Sequence, residues 1–398
     1  MTTTSEPRTG PPLRILQVTS TPLGGEWFYC QVTGLARRGH DVTAVLPGEG
    51  PLTERIRAAG IPTEIVRLAG WRPHQLPRVA AAEFHLMRLI RRLRPDVVHA
   101  HLLKASVACR LASLVGGHAL QVDQLPGAAH LRNPFMRRLD LATLSRADVV
   151  IASCHAFAER YRGLGARSVA TSHYGFDVHR FDPATSPEQF RSEFGIEPGT
   201  PVVGMVAYMY PSRIRDFRKV GIKGHETLID AVPRLLARVP DARIFIVGDE
   251  LSGDGSYRRA LHERAARVGA GRIHFTGRRY DIPELMAGFD VLVSPSLDES
   301  ASGASVQALL MGKPVVASNV GGLPDTVQHD ETGLLVPPAD PVALADAVAD
   351  LLHDPERRRA MGQLGRSRCL ARYDAARTVA DVEAVYHRAL ASRQGTRP

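Results

Sequence analysis

Three stretches of the chain combine residue types that could hold a polar, anionic ligand. In the first, Gly221-Ile-Lys223-Gly224-His225 opens a helical pattern directly after the basic run PSRIRDFRKVG. A lysine near a helix N-terminus opposes the helix dipole, so an anion in front of it would explain the choice. Arg213, Arg215, Arg218 and Lys219 add positive charge just upstream, which favours a phosphate-binding loop over a solvated surface loop. In the second stretch, Ser294–Asp325, Glu299 stands among small residues at the end of a strand pattern, ahead of an apolar helical run that includes Gln307. A carboxylate accepts hydrogen bonds from two adjacent sugar hydroxyls, and small neighbours let a ligand approach the backbone. Taken alone, Glu299 is read first as a residue suited to a helix N-terminus. The third stretch, Thr19-Ser-Thr-Pro-Leu-Gly24-Gly25, lies between a strand pattern and a helical segment. Its glycines suit close approach by a phosphate or sugar, and an ordinary tight turn fits them equally well.

Histidines end one strand pattern at His99 and His101, and His130 and His173 lie elsewhere in the first half. A lone strand-end histidine is more often a hydrogen-bonded structural residue than a catalyst. HExxH, G-x-S-x-G and Walker patterns do not occur, nor does metal-ligand spacing, so no metal and no cofactor are expected.

Elements that could position these residues follow from periodicity. Short Val- and Ile-rich runs alternate with helical patterns, as in parallel sheets covered on both faces. In the first half the expected strands are 14–19, 41–46, 63–68, 97–101, 120–123, 149–152 and 168–173. In the second they are 202–207, 243–247, 273–276, 291–294, 315–318 and 333–336. Leu228, Val232, Leu235, Leu236 and Val239 share one helical face, as do Leu344, Val348, Leu351 and Leu352. A last helix is expected over 371–391. The Pro-, Gly- and Asp-rich segment between the halves reads as a linker. The expected organisation is a tail over 1–12, an N-terminal Rossmann-like domain over 13–178, a linker over 179–200 and a C-terminal Rossmann-like domain over 201–370. Residues 371–398 form a terminal helix expected to pack back on the first domain.

At 398 residues the chain is long enough for two cores. No run approaches the roughly 18 apolar residues of a membrane span, and the polar N-terminus lacks the pattern of a secretory signal. Four scattered cysteines without C-x-x-C spacing suggest a reducing, cytoplasmic setting. The net charge of +9 favours an anionic partner. Without an aromatic-rich basic stripe, no nucleic-acid partner is expected.

In order and spacing these motifs resemble the family-four retaining glycosyltransferases, over nearly the whole chain from Arg14 to about Leu390. The resemblance rests on the Gly-Gly loop, D-V-V-H-A-H at Asp96–His101, R-A-D-V-V-I-A-S at Arg146–Ser153, G-F-D at Gly175–Asp177, K-G-H-E at Lys223–Glu226 and P-S-x-x-E at Pro295–Glu299. G-K-P-V-V-A-S-N-V-G-G-L-P-D at Gly312–Asp325 and E-T-G-L-L-V-P-P at Glu331–Pro338 are its most specific part. It implies an α/β fold of two Rossmann-like domains facing across a cleft, the GT-B class, and transfer of a sugar from a nucleotide diphosphate with retention at the anomeric carbon. It further implies that Gly24 and Gly25 face the donor phosphate and sugar, that Lys223 neutralises the leaving diphosphate, and that Glu299 binds sugar hydroxyls. Backbone near Arg279 and Tyr280 would hold the base, and Ser302, Gly303, Ala304 and Ser305 would lie against the donor.

Three departures from the family pattern stand out. Its Glu-x7-Glu pair is here Glu299-x7-Gln307, leaving an amide toward the ribose. Its Gly-Arg-Leu is Ala207-Tyr208-Met209, so Arg213, Arg215 or Arg218 is expected to replace the arginine, with Arg218 taken as the donor ligand. Its Thr-Val-His is Gln121-Val122-Asp123, which makes Asp123 the expected catalytic, acceptor-side group, with His101 and His130 on the same side.

The leading expectation is transfer from a UDP-sugar, such as UDP-N-acetylglucosamine or a UDP-hexose, to a small polar acceptor such as a natural-product aminocyclitol. A lipid-linked or cell-envelope acceptor is the runner-up: Arg88, Arg91, Arg92 and Arg94 flank Leu86, Met87, Ile90 and Leu93, although peripheral membrane contact is not favoured. From another class, the fold also serves nucleotide-sugar epimerases, and a non-catalytic nucleotide-sugar binding protein is the remaining alternative.

Overall fold

A computed structural model describes residues 10–395 except 22–24, 69–74, 117–118, 126, 128, 210, 212–220, 251–253 and 270. The chain divides into two compact units, Met1–Asp177 with Tyr373–Pro398, and Val178–Arg372.

The first unit alternates strands and helices: β1 Arg14–Thr19, α1 Glu26–Arg37, β2 Asp41–Leu46, α2 Pro51–Ala58, β3 Thr63–Ile65, α3 Leu76–Leu93, β4 Val97–His101, α4 Leu102–Gly116, β5 Leu120–Leu125, α5 Pro134–Leu144, β6 Val149–Ala152, α6 His155–Gly163 and β7 Val169–Thr171. Its strands form one sheet in the order β3-β2-β1-β4-β5-β6-β7, with parallel pairs throughout. Alternate residues of each strand meet opposite helical layers. Ile15, Val97, Val122 and Ile151 pack with Phe28, Val32 and Leu35 of α1, whereas Leu16, Val18, Val98 and Ala100 pack with Leu86, Leu89 and Ile90 of α3.

The second unit contains α7 Glu188–Glu193, β8 Val202–Val206, α8 His225–Arg238, β9 Arg243–Val247, α9 Ser256–Val268, β10 Ile273–Gly277, α10 Ile282–Ala287, β11 Val291–Ser294, α11 Gly303–Leu310, β12 Val315–Ser318, α12 Leu323–Thr326, β13 Gly333–Val336, α13 Pro341–His353 and α14 Pro355–Tyr373, the last reaching the unit boundary. Its sheet runs β10-β9-β8-β11-β12-β13. Leu228, Val232 and Leu235 of α8 and Leu344, Val348 and Leu351 of α13 bury against Val203, Ile244, Ile246, Val291 and Val293.

Two expectations about the connections are corrected. Residues 179–200 belong to the second unit rather than forming a bare linker. The apolar anchor that Pro and Gly obscured is Phe190 of α7, whose ring lies 4.9 Å from that of Phe245 and 5.6 Å from that of Phe289. The terminal helical pattern is also not continuous. It breaks at Asp374, and the following helix, α15 Ala375–Gly395, belongs to the first unit.

Helix α15 buries Val379, Val382, Val385 and Tyr386 in the α1 layer of that unit. Its Glu383 is keyed by charge: the carboxylate accepts from Arg38 Nε at 2.9 Å and pairs with His40 Nε2 at 2.8 Å. His40 Nδ1 accepts the Leu13 N–H at 3.1 Å, so the ring proton sits on Nε2 and points at Glu383. His387 lies close enough to complete a metal-ligand trio, but Arg38 already occupies the carboxylate. Removing one partner of a buried pair strands the others. Glu383→Ala is therefore expected to destabilise the first unit by about 3–5 kcal/mol, read as a lower urea midpoint with an unchanged slope.

Candidate active site

In the second unit the sequence-expected ligands converge at the carboxyl end of the sheet, where open α/β sheets bind their ligands. Strand β11 ends at Ser294, and the following Pro295–Glu299 loop is tied to the loop before α8 by the Leu297 N–H donating to the Ile222 carbonyl at 2.8 Å. Gly224 caps α8 at φ 75°, and a Cβ there would lie 1.9 Å from the Pro295 carbonyl oxygen, so only glycine allows this approach. The result is an ion pair between the Lys223 ammonium and the Glu299 carboxylate.

Glu299 is held from several sides. Its carboxylate accepts from Ser296 Oγ at 3.3 Å and from the Ser300 N–H at 3.2 Å. Its carbonyl accepts the Gly322 N–H at 3.1 Å, and a Cβ on Gly321, at φ 54°, would stand 1.8 Å from the same oxygen. The Gly-Gly pair of the most specific motif thus serves to seat Glu299. Ser302 caps α11, its Oγ accepting the Ser305 N–H at 3.2 Å. Gly303, Ala304 and Gln307 share the half-exposed face of α11, while Val306, Ala308, Leu309 and Leu310 are buried.

Sequence reasoning passed over the residue that fixes the lysine loop. Buried Glu226 accepts the Gly221 N–H at 3.1 Å and the Tyr257 hydroxyl at 2.8 Å, clamping the loop two residues before Lys223. The K-G-H-E spacing was a signal for this, since an acid in the first helical turn readily satisfies a free N–H.

Other expected donor ligands stand differently. The Arg279 guanidinium is committed to Glu193 and Asp281, at 2.8 and 2.6 Å through Nη2. Tyr280 is exposed, and its carbonyl accepts from Arg180 Nη2 at 3.1 Å. Gly24, Arg213, Arg215 and Arg218 lie outside the described residues.

In the first unit, Gly25 caps α1 at φ 77°. His101 ends β4, fully buried, its Nε2 2.7 Å from Gln17 Oε1. Burial, with His99 beside it, holds the ring well below the usual histidine range. Asp123 is not an open acceptor-side base. It is fully buried, with one carboxylate oxygen 2.6 Å from Arg110 Nε and the other 2.9 Å from Gln121 Nε2. Arg110 also bonds Asp140 at 2.7 Å, and His130 Nε2 meets Asp140 at 2.9 Å, so His130 belongs to the same internal ionic cluster. The alternation of β5 turns Asp123 toward α4 and α5, where an unpaired arginine would otherwise be buried.

With this geometry established, comparison with known proteins places the chain. Residues 28–175 match the family described as "Glycosyl transferase 4-like domain", and residues 210–354 match "Glycosyl transferases group 1". The 2-deoxystreptamine N-acetyl-D-glucosaminyltransferase of Streptomyces fradiae is 31% identical over 81% of this chain and 78% of its own length. A GDP-mannose-dependent monoacylated alpha-(1-6)-phosphatidylinositol monomannoside mannosyltransferase of Corynebacterium glutamicum is 29% identical over 69% of this chain and 68% of its own length. With the D-inositol 3-phosphate glycosyltransferase of Corynebacterium urealyticum identity is 33% over 58% of this chain, which spans about half of that relative, 55%. Anabaena HepE, solved in complex with UDP-glucose, is 24% identical with a TM-score of 0.80, covering 96% of this chain and all of that one. The chain is a glycosyltransferase of the group 1, family-four type, with the α/β fold of two Rossmann-like domains that such enzymes share.

Two outcomes test the site's construction. Gly224→Ala is expected to lower the melting temperature by several degrees, at about 2–4 °C per kcal/mol for a unit of this size, because the new methyl drives the lysine loop off Pro295. The buried histidines make stability acid-sensitive. Burial holds His99 and His225 down to about 3 and His101 well below 6.5, so all stay neutral in the fold. The unfolded chain takes up these protons near pH 6.5, so stability is complete above that pH and falls as the pH drops below it. Urea midpoints at pH 7.5 and 5.0 would register the loss.

Proposed function

We propose that the protein transfers a sugar, with retention, from a UDP-sugar such as UDP-N-acetylglucosamine or a UDP-hexose to a small hydroxylated acceptor of the aminocyclitol kind. The observation that carries this reading is the Lys223–Glu299 pair, built by two close glycine approaches at the carboxyl end of a parallel sheet. The two charges satisfy each other. A donor would separate their tasks: Lys223 would meet the diphosphate, whose charge grows as the glycosidic bond breaks, and Glu299 would accept hydrogen bonds from sugar hydroxyls. Gln307, on the open face of α11, would offer its amide to the ribose. Catalysis would then be mainly positioning and stabilisation of the leaving phosphate, with acceptor and leaving group on one face of the sugar. The named activity of the Streptomyces fradiae relative supports both the N-acetylglucosaminyl donor and the aminocyclitol acceptor.

A second reading, transfer to a lipid-linked acceptor, is favoured by exposed Phe84 and the arginines Arg88 and Arg92 on α3, and by the phosphatidylinositol-directed relative. Salt-sensitive cosedimentation with anionic liposomes would support it. Isothermal calorimetry against UDP, GDP, ADP and their common sugars tests the donor assignment. Micromolar binding of UDP or its sugar is expected, weakened at least tenfold in Glu299→Ala and Lys223→Ala, about 1.4 kcal/mol. Tightest binding of GDP would turn the donor to GDP-mannose, and silence with every nucleotide would overturn the donor site.

A further inference from the structure

The first unit carries a set of buried polar side chains that its own fold leaves partly unpaired. Gln17 of β1 and His99 and His101 of β4 face the α1 and α15 layer, where His99 Nδ1 lies 2.5 Å from the Tyr386 hydroxyl and 3.2 Å from Gln31 Nε2. Gln124 of β5 is the register partner of His101 and shares the face of Val122, which packs in the same layer. Both amide atoms of Gln124, His101 Nδ1, His99 Nε2 and the Tyr174 hydroxyl are buried without a hydrogen-bond partner among the described residues. Trp27 joins the group: its ring lies 5.1 Å from that of His101 and 4.4 Å from that of Tyr174, and it is the partly exposed member. Leu102, directly after His101, is forced to φ 70°, a left-handed conformation costly for a bulky residue and typical of functional corners.

Buried polar atoms are rarely left unpaired, and such a cluster at strand carboxyl ends marks a place where something polar binds. Its chemistry is specific. Gln17 accepts the Nε2 proton of the neutral His101 ring, which leaves Nδ1 as a fixed acceptor. Gln124 offers one donor group and one acceptor, and Tyr174 can do either. No member is charged. We propose that this set is the acceptor subsite and that it takes adjacent hydroxyls of a cyclitol or sugar ring in preference to a phosphorylated one, with Gln124 and not Asp123 as the specificity-determining group. A hydroxyl both donates and accepts, so a vicinal pair offers both kinds of partner that these atoms lack. A phosphate brings only acceptors and negative charge, which the acceptor atoms His101 Nδ1 and Gln124 Oε1 repel and no cation of the set offsets, whereas ring hydroxyls and ammonium groups can donate to both. The proposal rests on the transferase reading above and deepens it.

Its test is the fluorescence of Trp27 in the full chain, with Trp71 replaced by Phe, titrated with 2-deoxystreptamine, myo-inositol and myo-inositol 1-phosphate. Saturable changes are expected with the two unphosphorylated rings, and binding at least tenfold weaker with the phosphate. Gln124→Leu and Tyr174→Phe should weaken the ring response at least fivefold while leaving UDP affinity by calorimetry and the melting temperature unlowered. A purely structural role would instead lower the melting temperature. Equal or tighter binding of the phosphate, or no Trp27 response to either unphosphorylated ring in a protein that still binds UDP, would overturn the subsite and leave the donor reading standing. A Trp27 response without UDP binding would do the reverse.

Discussion

Parallel strands cannot be joined by tight turns, so each crossing returns through a helix, and the helices cover both faces of the sheet. In each unit this leaves the sheet ends as the places where polar groups can gather without disrupting a core. The helices that follow the strands begin at the carboxyl ends and bring unpaired N–H groups there. Ser302 of the second unit and Gly25, His101 and Gln124 of the first lie at or next to such strand or helix ends, and Lys223 and Glu299 lie in the loops that lead into helices there.

Holding charge at those ends requires exact backbone placement, and the glycines provide it. Gly224 and Gly321 allow one loop to touch another at distances that no side chain permits, and each contact falls beside a member of the Lys223–Glu299 pair. The pair is partly open to solvent rather than sealed, with side-chain exposures of 23% and 8%. Its charges therefore remain available for exchange with a ligand. The Arg110 cluster is the contrasting case: both its arginine and its aspartates are fully enclosed and act as internal structure.

Helix α15 shows how distant chain segments are selected. Its apolar residues would suit many grooves, but Glu383 suits only a site that offers Arg38 and His40 together. Tyr386 then reaches Gln17 and His99, so the terminal helix also helps order the polar layer beneath Trp27. Burying such groups adds little net stability against an apolar pair, and the cost falls on any arrangement that leaves one of them unpaired.

Hydrophobic period and motif spacing were enough to read the alternating strands and helices, the two Rossmann-like halves, and the presence of Lys223 and Glu299 at element ends, because these are set by residues close in sequence. Gln307 drew notice only as a departure from the family's Glu-x7-Glu pair, and its half-buried place on α11 came from the structure. The helix hidden in residues 179–200 was not legible, since Phe190 gains its meaning only from Phe245 and Phe289. Nor was the Tyr257 half of the clamp on Glu226, since Tyr257 comes from another helix. The clearest case is β5. A shift of one residue along a strand changes the face, so the difference between Asp123 and Gln124 decides which group meets Arg110 and which meets the polar layer. Local sequence determined that a strand would form there and carry both residues. Only the packed sheet, with α4 on one side and α1 with α15 on the other, decided that the charged residue turns inward to an arginine and its neutral neighbour is left unpaired.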